Sequence, residues 1–123
     1  MPDRSENVAN QPLTPAVFHI LLALADGEKH GYAIMKDVEG QTSGQVKMGP
    51  GTLYGSIKRM LAGGLIEETD ERPDPALDDE RRRYYRLTIQ GQVVVAAESR
   101  RLALAVRVAR QKKVLTYAEG SFL

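Results

Sequence analysis

Apolar residues recur at helical spacing in three successive stretches of the chain. The first begins where Thr14 can cap a helix and Pro15 suits its first position. It is apolar on nearly every side as far as about residue 25, which predicts a central buried helix. Residues 31 to 39 and 50 to 62 each carry a single apolar stripe, so two amphipathic helices are expected to pack around the first.

The pattern then changes to alternating apolar and polar positions over residues 65 to 69 and 82 to 87, which is typical of strands. The loop between them, Asp70 to Glu80, contains two Pro and many acidic residues and is predicted as a hairpin tip. Val46 to Met48 is short enough for a minor strand. From Thr88 to about residue 113 the spacing is helical again, and Thr88 is a suitable cap.

These elements, taken in order, predict a mainly α protein with a small β-hairpin wing. The fold class is α+β, a winged helix-turn-helix followed by a C-terminal dimerisation helix. The length of 123 residues is enough for one modest core. We therefore divide the chain into a flexible N-terminal arm at residues 1 to 12, a winged helix-turn-helix DNA-binding domain at 13 to 87, and a C-terminal dimerisation helix and tail at 88 to 123.

The last predicted helix carries more apolar surface than a small domain can cover. Two neighbouring apolar bands run along it, and two bands need more than one neighbour. We therefore expect a homodimer, in which a second copy of the chain covers part of this surface. The alternative is a helix folded back on its own domain. The residues predicted to form the dimer contact are Val93, Ala96, Ala97, Leu102, Val106 and Ala109.

Composition narrows the classes of function. The 17 basic and 16 acidic residues give a formal net charge of +1, so a nucleic-acid surface must come from local clustering of cations. The chain has no Cys and only two His, and no nucleophile has a base at a suggestive spacing. We therefore expect no catalytic residues, metal or cofactor, and no enzyme. The first apolar run is too short for a membrane span, which predicts a cytoplasmic protein.

Cations cluster at two places, the polar side of the third helix and the start of the second predicted strand. Their spacing on the helix leaves them off the apolar stripe, where hydroxyl side chains can also reach phosphates or base edges. The alternative is a set of cations that only face water or pair with the acidic run at residues 78 to 80. The candidate DNA-binding residues from these two places are Thr52, Ser56, Lys58, Arg59, Arg81, Arg82 and Arg83.

Four segments of the chain match a family pattern. They are Leu13-Thr14 with Ile20-Leu21, His30 to Ile34, Gly51 to Tyr54 with Lys58 to Leu61 and Gly64 to Ile66, and Arg83 to Thr88 with Gly91. In their order and spacing, the chain resembles the PadR family of transcriptional regulators over about residues 13 to 91. The resemblance implies a homodimeric winged helix-turn-helix repressor. Its operator would be double-stranded DNA with an inverted repeat, and a small aromatic or xenobiotic ligand would release it.

The resemblance also assigns roles to residues. It places the recognition helix at Pro50 to Ala62 and implies that the hydroxyls of Tyr32 and Tyr54 contact phosphate. His30 either caps the second helix or touches phosphate, and Lys47 completes the expected DNA-binding set. An effector would lie between the C-terminal helices and the winged domain, in a pocket lined by Phe18, Met35, Val93 and Leu102.

One departure from the family pattern favours a different function. The long acidic wing tip at residues 70 to 80 is unfavourable near phosphate. Together with the near-neutral net charge, it leaves open a winged-helix module that binds another protein and has no DNA specificity.

Overall fold

The computed structural model describes residues 12 to 69 and 83 to 116. The predicted N-terminal arm falls almost entirely outside this part of the chain. The acidic wing tip and the end of the predicted C-terminal tail also lie outside it.

The described residues form four helices and three short strands. In chain order these are α1 (Pro15–Ala23), β1 (Lys29–His30), α2 (Gly31–Gln41), α3 (Pro50–Ala62), β2 (Ile66–Thr69), β3 (Tyr84–Leu87) and α4 (Ile89–Gln111). The helices α1, α2 and α3 pack together, and β2 and β3 form the hairpin that follows α3. The predicted α+β winged helix-turn-helix fold is therefore confirmed.

The sheet differs from the prediction in its third strand. β3 is central, with β2 on one side and β1 on the other, and both pairings are antiparallel. Since β1 has only two residues, it is too short to show any alternation of apolar and polar positions. It joins the start of α2 to the hairpin, so the wing and the helix-turn-helix share one sheet.

The minor strand predicted at Val46 to Met48 is wrong. Strand residues donate their backbone N–H groups to a neighbouring strand, but the Val46 N–H donates to Oγ1 of Thr42 at 3.0 Å. Val46 and Met48 instead pack against the core as parts of an irregular connection between α2 and α3. Their apolar side chains therefore reflect burial rather than strand formation.

Side chains cap three of the helices. Oγ1 of Thr14 accepts from Val17 N at 3.3 Å, and Oγ1 of Thr88 accepts from Gly91 N at 3.0 Å. Both caps were expected from the sequence. At α2 the cap is His30, whose Nδ1 accepts from Ala33 N at 3.2 Å. The sequence analysis left open whether His30 caps α2 or contacts phosphate, and in the structure it caps α2.

The core surrounds α1, as its all-round apolar character predicts. Ile20 and Leu21 are fully buried, and side chains from α2, α3, both long strands and the first half of α4 enclose them. Residues of α4 are buried only as far as Glu98. The second half of α4 therefore continues beyond the domain that holds the first half.

A buried carboxylate holds α4 at the point where it leaves the domain. Glu98 is 6% exposed, and its carboxylate accepts from Leu13 N at 3.2 Å and from Arg101 Nε at 2.8 Å. The hydrogen bond from Arg101 is the main cause of a lowered pKa at Glu98; burial opposes it. The charged form of Glu98 thus ties the start of the domain to α4.

Two glycines shape the contact between the base of the wing and the start of α4. Gly64, with a φ of +76°, ends α3 and turns the chain into β2. The Thr88 hydroxyl donates to Gly64 O at 2.6 Å, and Thr88 N donates to Leu65 O at 3.1 Å. Gly91 lies so close that a Cβ there would overlap the Leu65 carbonyl oxygen. Only glycine fits this approach without moving α4 away from the hairpin.

Candidate nucleic-acid interface

Helix α3 buries one face and exposes the other. Leu53, Ile57 and Met60 point into the core, each 2% exposed or less. Because these residues are three or four positions apart, they lie on the same side of the helix, and the opposite side faces solvent. The polar residues exposed along α3 are Thr52, Tyr54, Lys58 and Arg59. This is a 13-residue helix that presents two cations, a hydroxyl and an aromatic ring to solvent.

Ser56 does not belong to this exposed face. It is 1% exposed, and its Oγ accepts from Nη2 of Arg59 at 3.3 Å. Because a buried hydroxyl cannot reach a phosphate or a base edge, the prediction that Ser56 contacts DNA is wrong. Its side chain lies in the buried face of α3, between Leu53 and Met60.

Tyr54 reaches from α3 to the start of α2. Its hydroxyl lies against the backbone of Gly31, where a Cβ would overlap the hydroxyl and approach Cζ to 2.8 Å. Gly31 is therefore the position that lets the Tyr54 ring rest on α2. Half of Tyr54 remains exposed, at 51%, so the same ring also forms part of the outer surface.

Tyr32 stands beside this contact on the first turn of α2. It is 56% exposed, its ring stacks on His30 with centroids 6.5 Å apart, and Nζ of Lys36 lies 5.6 Å from its centroid. The His30 ring in turn meets Tyr84 edge-on at 5.4 Å. These contacts fix the orientation of Tyr32 while leaving its ring available to a partner.

A concavity of about 550 Å³ joins these residues to the wing. It lies where the start of α2, the exposed side of α3 and the hairpin come together. The residues that line it are His30, Gly31, Tyr32, Tyr54, Glu68, Arg83 and Tyr85. Burial, followed by the charge of Glu68, raises the pKa of Tyr85, so its hydroxyl stays neutral. Four of the predicted DNA-binding residues thus share one surface with a carboxylate that was not predicted.

Two ion pairs cross the described part of the hairpin, residues 66 to 69 and 83 to 87, one on each face. Nη1 of Arg83 donates to Oε1 and Oε2 of Glu68 at 3.1 and 3.3 Å, on the side of the concavity. Nε of Arg86 donates to Oε1 of Glu67 at 2.9 Å, on the opposite face of the strands. Arg83 of the predicted arginine cluster therefore pairs with Glu68. The acidic run at residues 78 to 80 lies outside the described residues, so its predicted pairing with the cluster stays a prediction.

Three predicted DNA-binding residues do not line this concavity or lie outside the described residues. Lys47 is exposed on the connection before α3. Arg81 and Arg82 lie outside the described residues.

Helix α4 exposes apolar side chains in both of its halves. Val93 is 51% exposed and Leu102 is 45% exposed. The other predicted dimer residues, Ala96, Ala97, Val106 and Ala109, are each partly exposed. Leu104, which belongs to one of the two predicted apolar bands, is also exposed. The sequence prediction did not include three further exposed apolar residues of this region, Ile89, Val108 and Val114. Helical spacing alone cannot separate them from buried positions, because the helix outruns its own domain.

The predicted effector pocket is not formed within one chain. Phe18 and Met35 are partly buried and pack against the core. Val93 and Leu102 are nine positions apart on α4, so at about 100° per residue they face opposite sides of the helix. Since one face of α4 cannot present both side chains to a cavity, a pocket lined by all four residues would need more than one C-terminal helix. The predicted effector pocket between the C-terminal helices and the winged domain therefore stays a prediction.

Two further features bear on the class of protein. Within residues 12 to 69 and 83 to 116, no helix is both long and apolar enough to cross a membrane. In the same ranges, no three His, Asp or Glu side chains gather as a potential metal-binding group.

The winged helix-turn-helix and its exposed α3 agree with a comparison of the sequence to known families. Residues 20–97 match the model of the transcriptional regulator PadR-like family. The chain belongs to the PadR-like family. Members of this family are transcriptional regulators and not enzymes, which agrees with the function class expected from composition.

Solved structures of similar fold include other PadR-like regulators. A transcriptional regulator from Clostridium thermocellum is 25% identical, with a TM-score of 0.63 over 78% of this chain and 87% of that one. A PadR family regulator from Clostridium difficile is 23% identical, with a TM-score of 0.65 over 80% and 97%. Bacillus subtilis PadR in complex with operator DNA is 20% identical, with a TM-score of 0.55 over 65% and 44%. The last two likenesses concern the fold.

A curated relative is longer than this chain. An uncharacterized 37.1 kDa protein in transposon Tn4556 of Streptomyces fradiae is 38% identical over 84 residues. The match covers 68% of this PadR-like chain but only 22% of the relative. The relative therefore extends well beyond the matched region.

Proposed function

We propose that this PadR-like regulator binds double-stranded DNA as a homodimer and represses transcription. The observation that carries the proposal is the exposed face of α3, where Thr52, Tyr54, Lys58 and Arg59 stand opposite the buried stripe. A helix of this width fits the major groove of B-DNA, which is about 12 Å wide. A cytoplasmic location goes with this proposal.

The charges of this surface suit the chemistry of DNA. Lys58 and Arg59 supply donors to phosphates or to guanine, whereas Thr52 and Tyr54 supply hydroxyl groups. Lys47 lies on the connection between α2 and α3, and Arg83 lies on the wing. Both would contact the phosphate backbone of the DNA. The similar fold of Bacillus subtilis PadR, which was solved in complex with operator DNA, supports DNA binding by this chain.

The second half of α4 supports the dimer. Leu102, Val106 and Ala109 continue the side of the helix that Val94 and Glu98 bury in the domain, but here this side is left exposed or only partly covered. Pairing with a second copy would remove this apolar surface from water. A two-fold dimer would then present two α3 helices to half-sites about 34 Å apart, one turn of DNA, or to a multiple of that spacing.

Release by a small aromatic or xenobiotic molecule is part of the proposal because the family resemblance implies it. Val93 and Leu102 lie on opposite sides of α4, so a pocket that uses both needs the α4 helices of two subunits. Such a ligand would have to bind more tightly to a dimer whose α3 spacing does not fit the operator. A compound that changes neither DNA affinity nor dimer geometry is not the effector.

The test is DNA retention followed by salt titration. The protein is incubated with sheared DNA from its source, and the retained fragments are sequenced and used as fluorescent probes. Enrichment of fragments that share an inverted repeat is the expected result. Affinity should fall with salt, with a log-log slope of about −0.9 for each neutralised phosphate.

Variants connect this binding to α3. Lys58→Ala should weaken binding and reduce the magnitude of the salt slope by about 0.9. Lys112→Ala is the matched control, because it removes the same charge at the exposed C-terminal end of α4. Equal effects of the two variants would remove α3 from the interface. Absence of DNA binding at any salt would instead favour a winged-helix module that binds another protein.

A further inference from the structure

The ion pair between Glu68 and Arg83 lies within the surface proposed to meet DNA. Both residues line the concavity that also contains Tyr54. Glu68 on β2 lies opposite Tyr85 on β3, so these two side chains are on the same face of the hairpin. Arg83 precedes Tyr85 by two positions and therefore lies on that face as well. Nη1 of Arg83 reaches both carboxylate oxygens of Glu68, at 3.1 and 3.3 Å.

This pair is exposed and open to exchange. The side chain of Arg83 is 71% exposed and that of Glu68 is 45% exposed. Solvent-exposed pairs of this kind contribute little to folding stability. A DNA phosphate offers Arg83 the same kind of acceptor oxygen and also releases condensed counterions when it binds. Exchange of the Glu68 carboxylate for a phosphate is therefore possible without unfolding the hairpin.

We propose that Glu68 competes with DNA phosphate for the Arg83 guanidinium and thereby limits the affinity of the protein for DNA. The inference rests on the proposed function and adds an affinity-determining residue to the same interface. In the free protein, Glu68 holds Arg83 at the edge of the concavity. In the complex, Arg83 turns to a phosphate, and breaking its pair with Glu68 reduces the free energy gained on binding.

The hairpin contains its own control. Glu67 is the preceding residue of β2 and pairs with Arg86 on the other face. Glu67 and Glu68 are similarly exposed, with 49% and 45% of the side chain accessible. Replacing either by glutamine changes the net charge equally and keeps nearly the same shape. Only Glu68 faces the concavity, so the two variants separate position from charge.

The experiment measures DNA binding by fluorescence anisotropy with a duplex of about 30 base pairs, long enough for two half-sites. The probe is a fragment retained by the wild-type protein or, if none is enriched, a random-sequence duplex at low salt. The proteins are the full-length wild type, Glu68→Gln, Glu67→Gln, Arg83→Gln and the double variant of Glu68 and Arg83. Circular dichroism confirms that each is folded.

Glu68→Gln should tighten binding by about two- to fivefold, the range expected from the energy of an exposed ion pair. Its salt slope should become steeper by up to about 0.9, since Arg83 is freed to neutralise a phosphate. Glu67→Gln should change the affinity less than half as much. In the Arg83→Gln background, the gain from Glu68→Gln should largely disappear.

Two results would overturn the inference while leaving DNA binding intact. One is equal tightening by Glu68→Gln and Glu67→Gln, which would be a general effect of net charge. The other is an undiminished effect of Glu68→Gln in the Arg83→Gln background. If neither the wild type nor any variant binds the duplex, the proposed function fails, and the inference fails with it.

Discussion

Replacing Gly91 by alanine should destabilise the protein, although the same change usually stabilises a helix. In a helix interior, alanine is more favourable than glycine by about 0.5 to 1 kcal/mol. At Gly91, however, the new Cβ would overlap the Leu65 carbonyl oxygen and lie 3.1 Å from the Leu65 carbonyl carbon. That carbonyl is held in place because it accepts from Thr88 N at 3.1 Å. The sign of the effect therefore depends on whether α4 can move away from the hairpin.

The magnitude follows from two opposing contributions. Overpacking a well-filled site costs about 1 to 3 kcal/mol. The upper end applies here because the obstacle is backbone and not the end of a flexible side chain. Subtracting a helix gain of about 1 kcal/mol leaves a net loss of about 2 kcal/mol in the free energy of unfolding.

The assay is urea unfolding followed by far-ultraviolet circular dichroism, at one protein concentration, since the stability of a dimer depends on concentration. Gly40→Ala is the matched control. Gly40 lies in α2, and a Cβ there would have no heavy atom within 4 Å. This variant should gain about 0.5 to 1 kcal/mol. If Gly91→Ala is as stable as Gly40→Ala, the close approach of α4 to Leu65 does not constrain the fold.

Three further predictions address other parts of the molecule. Ser56→Ala should leave DNA affinity within about twofold in the anisotropy assay, because Ser56 is 1% exposed and a direct base contact would cost about 1 to 3 kcal/mol. Leu102→Glu should shift the protein towards the monomer in sedimentation velocity, since it places a charge in the proposed dimer contact; Gln111→Glu, at the exposed end of α4, should not. The hydrogen bond from Arg101 lowers the pKa of Glu98 below 4.5, so its stabilising contribution is present above pH 4.5 and is lost as the pH falls through the lower, folded-state pKa. The stability difference between the wild type and Glu98→Gln, from urea unfolding, should therefore be largest near neutral pH and shrink below pH 4.5; a difference that is constant with pH would contradict this account.

The elements that the sequence predicts well are those whose signals are local. Helix periods, together with capping by Thr14 and Thr88, depend on residues within one or two turns of each other. The strand at Lys29–His30 has no such signal, because it exists only through its pairing with Tyr84 and Tyr85. This strand could not be predicted because it has only two residues and because its pairing partner, β3, lies far away in the sequence.

Ser56 is a different kind of error, because its signal was present in the sequence. It lies three residues after Leu53 and four before Met60, which places it on the same side of α3 as these two buried residues. Its polar chemistry suggested DNA contact, whereas its position indicated burial. In an amphipathic helix, position in the apolar stripe is therefore the better guide to exposure than side-chain polarity.

The contacts that shape the candidate site join residues of separate elements, and no local pattern encodes them. Gly31 of α2 carries the Tyr54 ring of α3, and Glu68 of β2 holds Arg83 beside β3. A change at Gly31 would displace Tyr54 without removing any group that can contact DNA. A change at Glu68 would free Arg83 without altering the packing of α3. The geometry of α3 and the charge of the wing can therefore be altered separately, so their contributions to DNA binding can be measured one at a time.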